Sequence, residues 1–200
     1  MQTPPLKELI GNTDIYLLDQ IVKGRYQATD RILDAGCGGG RNLFWFINNE
    51  IEIYGIDKDP ASIRFLKSVY PKLEAARFQV SKAEQLPFEN DFFDHLISSA
   101  VLHFAESTTH FFNMVKEQVR VLQSKGSLFI RMATTIGMED KVKLIGDGLY
   151  HIPDGTSRFL LTPALLENVM KAHNLSFIEP LKTVNVDNLR SMSTLVLLKN

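Results

Sequence analysis

The sequence predicts an α/β protein in which a parallel sheet is covered by helices and closed by an antiparallel hairpin near the C-terminus. Three observations predict it. Short apolar, β-branched runs alternate with amphipathic segments between residues 31 and 132, and a helix between successive strands is what parallel pairing requires. The first of these runs ends in Gly36-Cys37-Gly38-Gly39-Gly40, a break that strands meet at tight turns. The tail instead carries two extended runs separated by a turn signal at Asp187-Asn188.

The elements follow in order. Residues 14–23 form a first helix, and 31–35 the first strand. A helix is expected directly after the glycines, with Leu43, Phe44 and Ile47 on one face and Asn48-Asn49 as its stop. Strand two spans 51–56. Asp59 then offers an N-cap and Pro60 takes the first helical position, where its missing N–H costs nothing, so a second helix runs to Val69. Residues 76–80 and 92–98 read as strands three and four, joined by a loop carrying Leu86-Pro87-Phe88. Phe111, Val115, Val119 and Leu122 stripe a helix over 107–122, and Gly126 precedes a fifth strand over 127–132. A Gly-rich connection covers 134–158. Thr162-Pro163 caps a last helix, and the runs 177–186 and 193–198 make the hairpin.

With 200 residues, 44% of them hydrophobic and 22% charged, the chain can bury one substantial core, so one domain is expected. Its formal net charge of −1 provides no global field for a phosphate backbone, which weighs against a nucleic-acid partner. Cys37 is the only cysteine, which excludes an intrachain disulfide and the thiolate sets of structural zinc; no metal site is expected. The opening residues, with Pro4, Pro5, Lys7 and Glu8, lack the apolar stretch of a leader or membrane anchor, and a cytoplasmic location is expected.

The most informative segment is Ile32-Leu-Asp-Ala-Gly-Cys-Gly-Gly-Gly-Arg-Asn42, which reads as strand, glycine loop and helix start. Glycines let backbone approach a ligand closely, and a helix N-terminus favours an anionic group, a carboxylate as readily as a phosphate. A dinucleotide fingerprint counted from Gly36 would need glycine at position 41, where Arg41 stands. The Gly-x-x-x-x-Gly-Lys-Ser/Thr loop of nucleotide hydrolases does not occur. Asp57 lies 21 positions after Gly36, at the end of strand two, where a carboxylate can accept bonds from both hydroxyls of a ribose.

Asp34-Ala-Gly-Cys-Gly-Gly-Gly40, Asp57, Ala83-Glu-Gln-Leu-Pro-Phe88 and Phe93-Asp-His-Leu-Ile-Ser-Ser99, in this order, resemble the motifs of the class I S-adenosylmethionine (SAM)-dependent methyltransferases. The resemblance covers residues 30–132. It implies a Rossmann-like, seven-stranded, mostly parallel sheet of order 3-2-1-4-5-7-6 with helices on both faces and strand seven antiparallel. It also implies a cofactor-binding core at 30–132, between a helical cap at 1–29 and a substrate-side loop, helix and hairpin at 133–200. SAM is the implied cofactor, and a methyl acceptor the second substrate.

Carried over by position, the resemblance places Gly36 and Gly38 along the methionine part of SAM, Asp57 on the ribose, the Ala83 backbone near the adenine, and Ser98 and Ser99 beneath the sulfonium. Asp34, Gly40, Asn42 and Lys58 are expected among the cofactor-binding residues as well. Lys82 stands where the family often has an aspartate for the adenine amino group, with Glu84 the nearest carboxylate. Tyr16 sits on the helix that in related enzymes folds over the cofactor, and packing on the sheet serves it equally well. Methyl transfer is a direct displacement, so positioning and water exclusion can carry it without a protein nucleophile. His103, just beyond strand four, is the best-placed proton acceptor, with a packing or capping role beside it.

Cys37 reads as a small loop residue, and Trp45, Phe111 and Phe112 as core. Tyr150, His151 and Arg158 read as surface residues of the long connection. No Asn/Asp-Pro-Pro-Tyr/Phe follows strand four and no Pro-Cys pair occurs, so a small-molecule acceptor is expected. An NAD-dependent oxidoreductase and a non-catalytic SAM-binding sensor or assembly subunit remain as alternatives.

Overall fold

The computed structural model describes residues 5–200; residues 1–4 of the expected cap lie outside the described residues. Its main sheet contains β1 (Arg31–Ala35), β2 (Glu52–Asp57), β3 (Phe78–Val80), β4 (Phe93–Ser99) and β5 (Leu122–Ala133), all mutually parallel. A second sheet pairs β6 (Lys143–Leu144), β7 (Leu149–His151) and β8 (Ser157–Phe159) antiparallel. The main sheet is completed by β9 (Leu175–Phe177), β10 (Lys182–Val186) and β11 (Arg190–Lys199). Its order is β10-β11-β5-β4-β1-β2-β3, with β11 antiparallel to β5 and to its other neighbours β10 and β9. This is the expected 3-2-1-4-5-7-6 arrangement.

The period of two along each strand sorts the core into two layers. Ile32, Ile53, Ile97, Phe129 and Val196 pack with Leu17 of α2 (Ile15–Val22), Phe46 of α3 (Phe44–Asn48) and Ile63 and Leu66 of α4 (Pro60–Val69). Their neighbours Leu33, Leu96, Leu128 and Leu197 pack instead with Phe111 and Val115 of α5 (Thr108–Val121) and with Leu166 and Val169 of α6 (Pro163–Ala172). Helices thus cover both faces.

Side-chain caps set the helix starts: Asp14 on Tyr16 N–H, Asp59 on Ala61 and Ser62 N–H, Ser107 on His110 N–H and Thr162 on Leu165 N–H. Four local differences from expectation have physical causes. The helix after the glycines begins only at Phe44, because turns from Gly40 N–H to Cys37 O and from Leu43 N–H to Gly40 O use up the intervening residues. Strand 177–186 is split, because Pro180 has no N–H to give the ladder. The connection 134–158 carries the small sheet, whose two- and three-residue strands are too short to show a period. A short helix, α1 (Leu6–Ile10), precedes α2.

Candidate functional site

Strand order reverses between β1 and β4, so their C-terminal ends open a crevice at a topological switch point, where α/β sheets bind ligands. The glycine loop crosses it. Gly36 and Cys37 N–H both donate to Ile56 O, at 2.8 and 2.9 Å, tying the loop to β2. Gly36, Gly38 and Gly40 have φ of +94°, +50° and +84°. A Cβ at Gly36 would overlap the Val101 side chain, and one at Gly40 would stand 2.5 Å from Leu66 Cδ2, whereas one at Gly38 would meet nothing within 4 Å. Packing and backbone conformation both demand glycine at the first and third positions; conformation alone demands it at the second, which leaves open space above the loop.

Asp57 faces that space from the end of β2. Its Oδ2 accepts Gly38 N–H at 2.8 Å and its Oδ1 accepts Asp59 N–H at 2.9 Å. Each carboxylate oxygen accepts two bonds, so Asp57 keeps capacity for two more donors.

Three cavities meet here. One of about 310 Å³ runs past Asp57, Lys58, Lys82, Ala83 and Glu84 to Phe104 and Met114. The second, about 580 Å³, lies over Gly36–Gly40 between Gly11, Arg41, Tyr70 and Ser99. The third, about 300 Å³, is lined by His103, Arg131, Asp154, Arg158 and Arg190. Ala100 lines all three. It holds φ of +62°, which a non-glycine residue adopts only under constraint, and its N–H donates to Arg131 O at 2.7 Å.

The sequence-expected residues divide accordingly. Gly36, Gly38, Gly40, Asp57, Lys58, Lys82, Ala83, Glu84 and Ser99 stand on the walls of the first two cavities. Lys82 Nζ is 3.9 Å from Glu84 Oε1, and Glu84 Oε2 is 3.3 Å from His110 Nε2. Four others stand behind the wall. Asn42 is buried, its Oδ1 accepting Asp14 N–H at 3.0 Å. Ser98 is fully buried and accepts from Gln118 Nε2. Tyr16 packs its ring under the Arg131 guanidinium, 5.0 Å from ring centroid to carbon. Asp34 lies beneath the loop with neither carboxylate oxygen partnered; burial pushes its pKa up to about 7, with Arg41 opposing and Asp57 adding to the rise. Cys37 is buried, and burial, then Asp34 and Asp57, push its thiol far above the ordinary range, so it is inert as a nucleophile.

His103 stands in the third cavity, on a 3₁₀ turn at Leu102–Phe104. Burial, then the nearby Arg158 and Arg131, lower its pKa to about 4, so the ring is neutral at pH 7. Its Nδ1 accepts Ala133 N–H at 3.4 Å. In the tautomer this assigns, Nε2 carries the proton and donates.

The sequence reading missed Asp14, Arg41, Arg131, Asp154 and Arg190, and placed Arg158 on the surface, where it is instead half-buried. Asp14 is buried, with its Oδ2 3.4 Å from Arg41 Nη2 and 3.3 Å from Arg131 Nη1. One signal was available: Arg131 interrupts the apolar run Leu128-Phe-Ile-Arg-Met-Ala133, and a charge inside a strand that is otherwise buried needs a reason.

A doubly wound sheet with a glycine loop at its switch point, facing an acid at the end of β2, defines the class of α/β proteins that bind nucleoside-containing cofactors. Residues 33–130 match the model of the methyltransferase domain family. Over that segment, 98 of the 200 residues, the chain is similar to methyltransferase domains. A phthiotriol/phenolphthiotriol dimycocerosates methyltransferase of Mycobacterium leprae is 33% identical over 100 residues, covering 49% of this chain and 36% of that protein. The chain covers less than half the length of each of the three curated relatives it matches. A SAM-dependent methyltransferase from Methanosarcina mazei shares the fold, with a TM-score of 0.72 at 18% identity over 90% of this chain and 96% of that one. So does Burkholderia thailandensis 1,6-didemethyltoxoflavin-N1-methyltransferase, solved with 1,6-didemethyltoxoflavin and S-adenosylhomocysteine, with a TM-score of 0.69 at 15% identity over 96% of this chain and 79% of that one.

Proposed function

We propose that this protein transfers the methyl group of SAM to a small-molecule acceptor. The observation that carries the reading is the open cradle at Gly38, where Asp57 faces the loop with acceptor capacity to spare. A nucleoside with an amino-acid tail fits both halves of the crevice. Asp57 accepts the ribose hydroxyls, the cavity past Lys58, Lys82, Ala83 and Glu84 takes the base, and the space over Gly36–Gly40 beside Ser99 takes the tail. Asn42, Ser98 and Tyr16 act behind these groups, holding α2 and β4 in place, and Asp34 lies buried beneath the loop. Residues 5–29 cap the crevice, 30–132 hold the cofactor and 133–200 supply the acceptor side.

SAM supplies an electrophilic methyl on a sulfonium. The acceptor's lone pair forms the new bond to that carbon while the carbon–sulfur bond breaks and its electron pair passes to sulfur, leaving S-adenosylhomocysteine. Catalysis then rests on alignment and water exclusion. Ala100, common to the three cavities, marks where the methyl crosses, and the His103 cavity holds the acceptor. A ring that titrates near 4 and presents Nε2–H orients the acceptor as a donor rather than taking its proton.

Thermal denaturation with S-adenosylhomocysteine or NAD tests the cofactor: the first raises the melting temperature and the second does not. A shift with NAD alone sinks the reading. Transfer of labelled methyl from SAM to members of an acceptor panel tests the reaction; cofactor binding without any transfer favours a sensor.

A further inference from the structure

The cavity around His103 differs in chemistry from the two that flank the glycine loop. Its charged lining is three guanidinium groups, Arg131 of β5, Arg158 of β8 and Arg190 of β11, against the single carboxylate of Asp154. Arg158 is held by the Phe104 ring, 5.2 Å from its centroid, and by a 2.8 Å bond to Ser157 O. Arg131 reaches Asp14 with Nη1 at 3.3 Å, yet its Nε is buried without a partner. Asp14 is shared with Arg41, so even the enlarged cluster sets four guanidinium groups against two carboxylates. Like charges converging on a partly enclosed space of about 300 Å³ attract an anion, and a forked guanidinium matches an oxyanion in two bonds at once.

Resting on the methyl-transfer reading, we propose that the acceptor is a small molecule carrying an oxyanion, a carboxylate or a phosphate monoester. Arg158 and Arg190 grip that group, and His103 donates from Nε2. The oxyanion is the handle, seated among the arginines, and the nucleophile that takes the methyl lies at the Ala100 end of the cavity. The surplus charge is matched by the acceptor and not by the fold.

The test is calorimetric titration of the full chain, loaded with S-adenosylhomocysteine, against four probes of similar size: benzoate, phenyl phosphate, benzamide and benzylamine. One of the two anions binds at least about tenfold more tightly than benzamide, the difference a charge-assisted pair supplies, and benzylamine binds least. Which anion wins separates carboxylate from phosphate. Arg158→Gln and Arg190→Gln each remove most of that preference while S-adenosylhomocysteine affinity is unchanged; Arg190 is exposed, so its replacement leaves the fold intact. Equal affinity for anions and amide, no anion binding at millimolar concentration, or a preference that survives both replacements overturns the proposal. Failure of S-adenosylhomocysteine to bind strikes the cofactor reading alone, and the same probes titrated into the unloaded chain still decide the cavity.

Discussion

The crevice over the glycine loop and the cavity around His103 share Ala100, yet they are made of different material. The crevice is shaped by backbone: three positive-φ glycines, two N–H groups on Ile56 O and a carboxylate on Gly38 N–H. The cavity is shaped by side chains drawn from β5, β8, β11 and the turn after β4. A backbone cradle tolerates few substitutions and recognises what every family member binds. A side-chain pocket can change its ligand one residue at a time, which is how one fold serves many acceptors.

That contrast predicts a sharp gradient of mutational effect. Gly36→Ala combines a positive φ with overlap on Val101, and strain plus overpacking cost about 2–4 kcal/mol together. S-adenosylhomocysteine binding is lost and the melting temperature falls, both measured on the purified variant. A variant that binds normally would show the loop to be more pliable than its packing implies. Asp57→Asn comes next: the amide keeps one acceptor oxygen and loses the charge, so calorimetric affinity for S-adenosylhomocysteine drops roughly 10- to 100-fold, and the melting temperature falls modestly because Gly38 or Asp59 N–H loses its acceptor.

The same contrast explains what the sequence made readable. A glycine loop, the acid 21 positions later and the Asp59-Pro60 cap are local patterns, and backbone chemistry forces them to be local. Strand β1 and helix α4 accordingly fall at their expected bounds. His103, Arg131, Asp154, Arg158 and Arg190 meet only because β11 inserts beside β5 and the small sheet folds back over the turn. No spacing in the chain encodes that meeting. Strand β6 has two residues and Arg158 sits in a three-residue strand, so neither periodicity nor propensity marked the segment that builds the cavity.

Asp34 separates the two regions by pH. Its folded pKa of about 7 lies above the ordinary value of 3.8, so between these values the native state binds more protons than the unfolded chain. The stability linked to the neutral carboxyl is therefore complete below about pH 4 and is lost as pH rises through about 7. Asp34→Asn mimics the neutral acid and removes that slope: melting temperatures of variant and parent converge near pH 4, and the variant is the more stable at pH 8. Parallel melting curves across this range would mean that water or Arg41 satisfies the carboxylate beneath the loop. Anion affinity in the His103 cavity follows neither change, because Asp34 does not line it.

The smallest effect falls on a charged side chain that reaches both regions. Asp14 Oδ2 lies 3.5 Å from Ser99 Oγ on the crevice wall and 3.3 Å from Arg131 Nη1 behind the cavity. Asp14→Asn keeps an oxygen to cap α2 through Tyr16 N–H, and withdraws a negative charge from Arg131 and Arg41. With less competition for Arg131, benzoate or phenyl phosphate binds a few-fold more tightly, an advantage that fades with added salt because Arg41 and Arg131 remain partly in contact with solvent. S-adenosylhomocysteine affinity stays within about twofold, since the loop contacts to Ile56 and Asp57 do not involve Asp14. If both affinities fall together, Asp14 couples the two regions, and backbone cradle and side-chain pocket act as one unit rather than two.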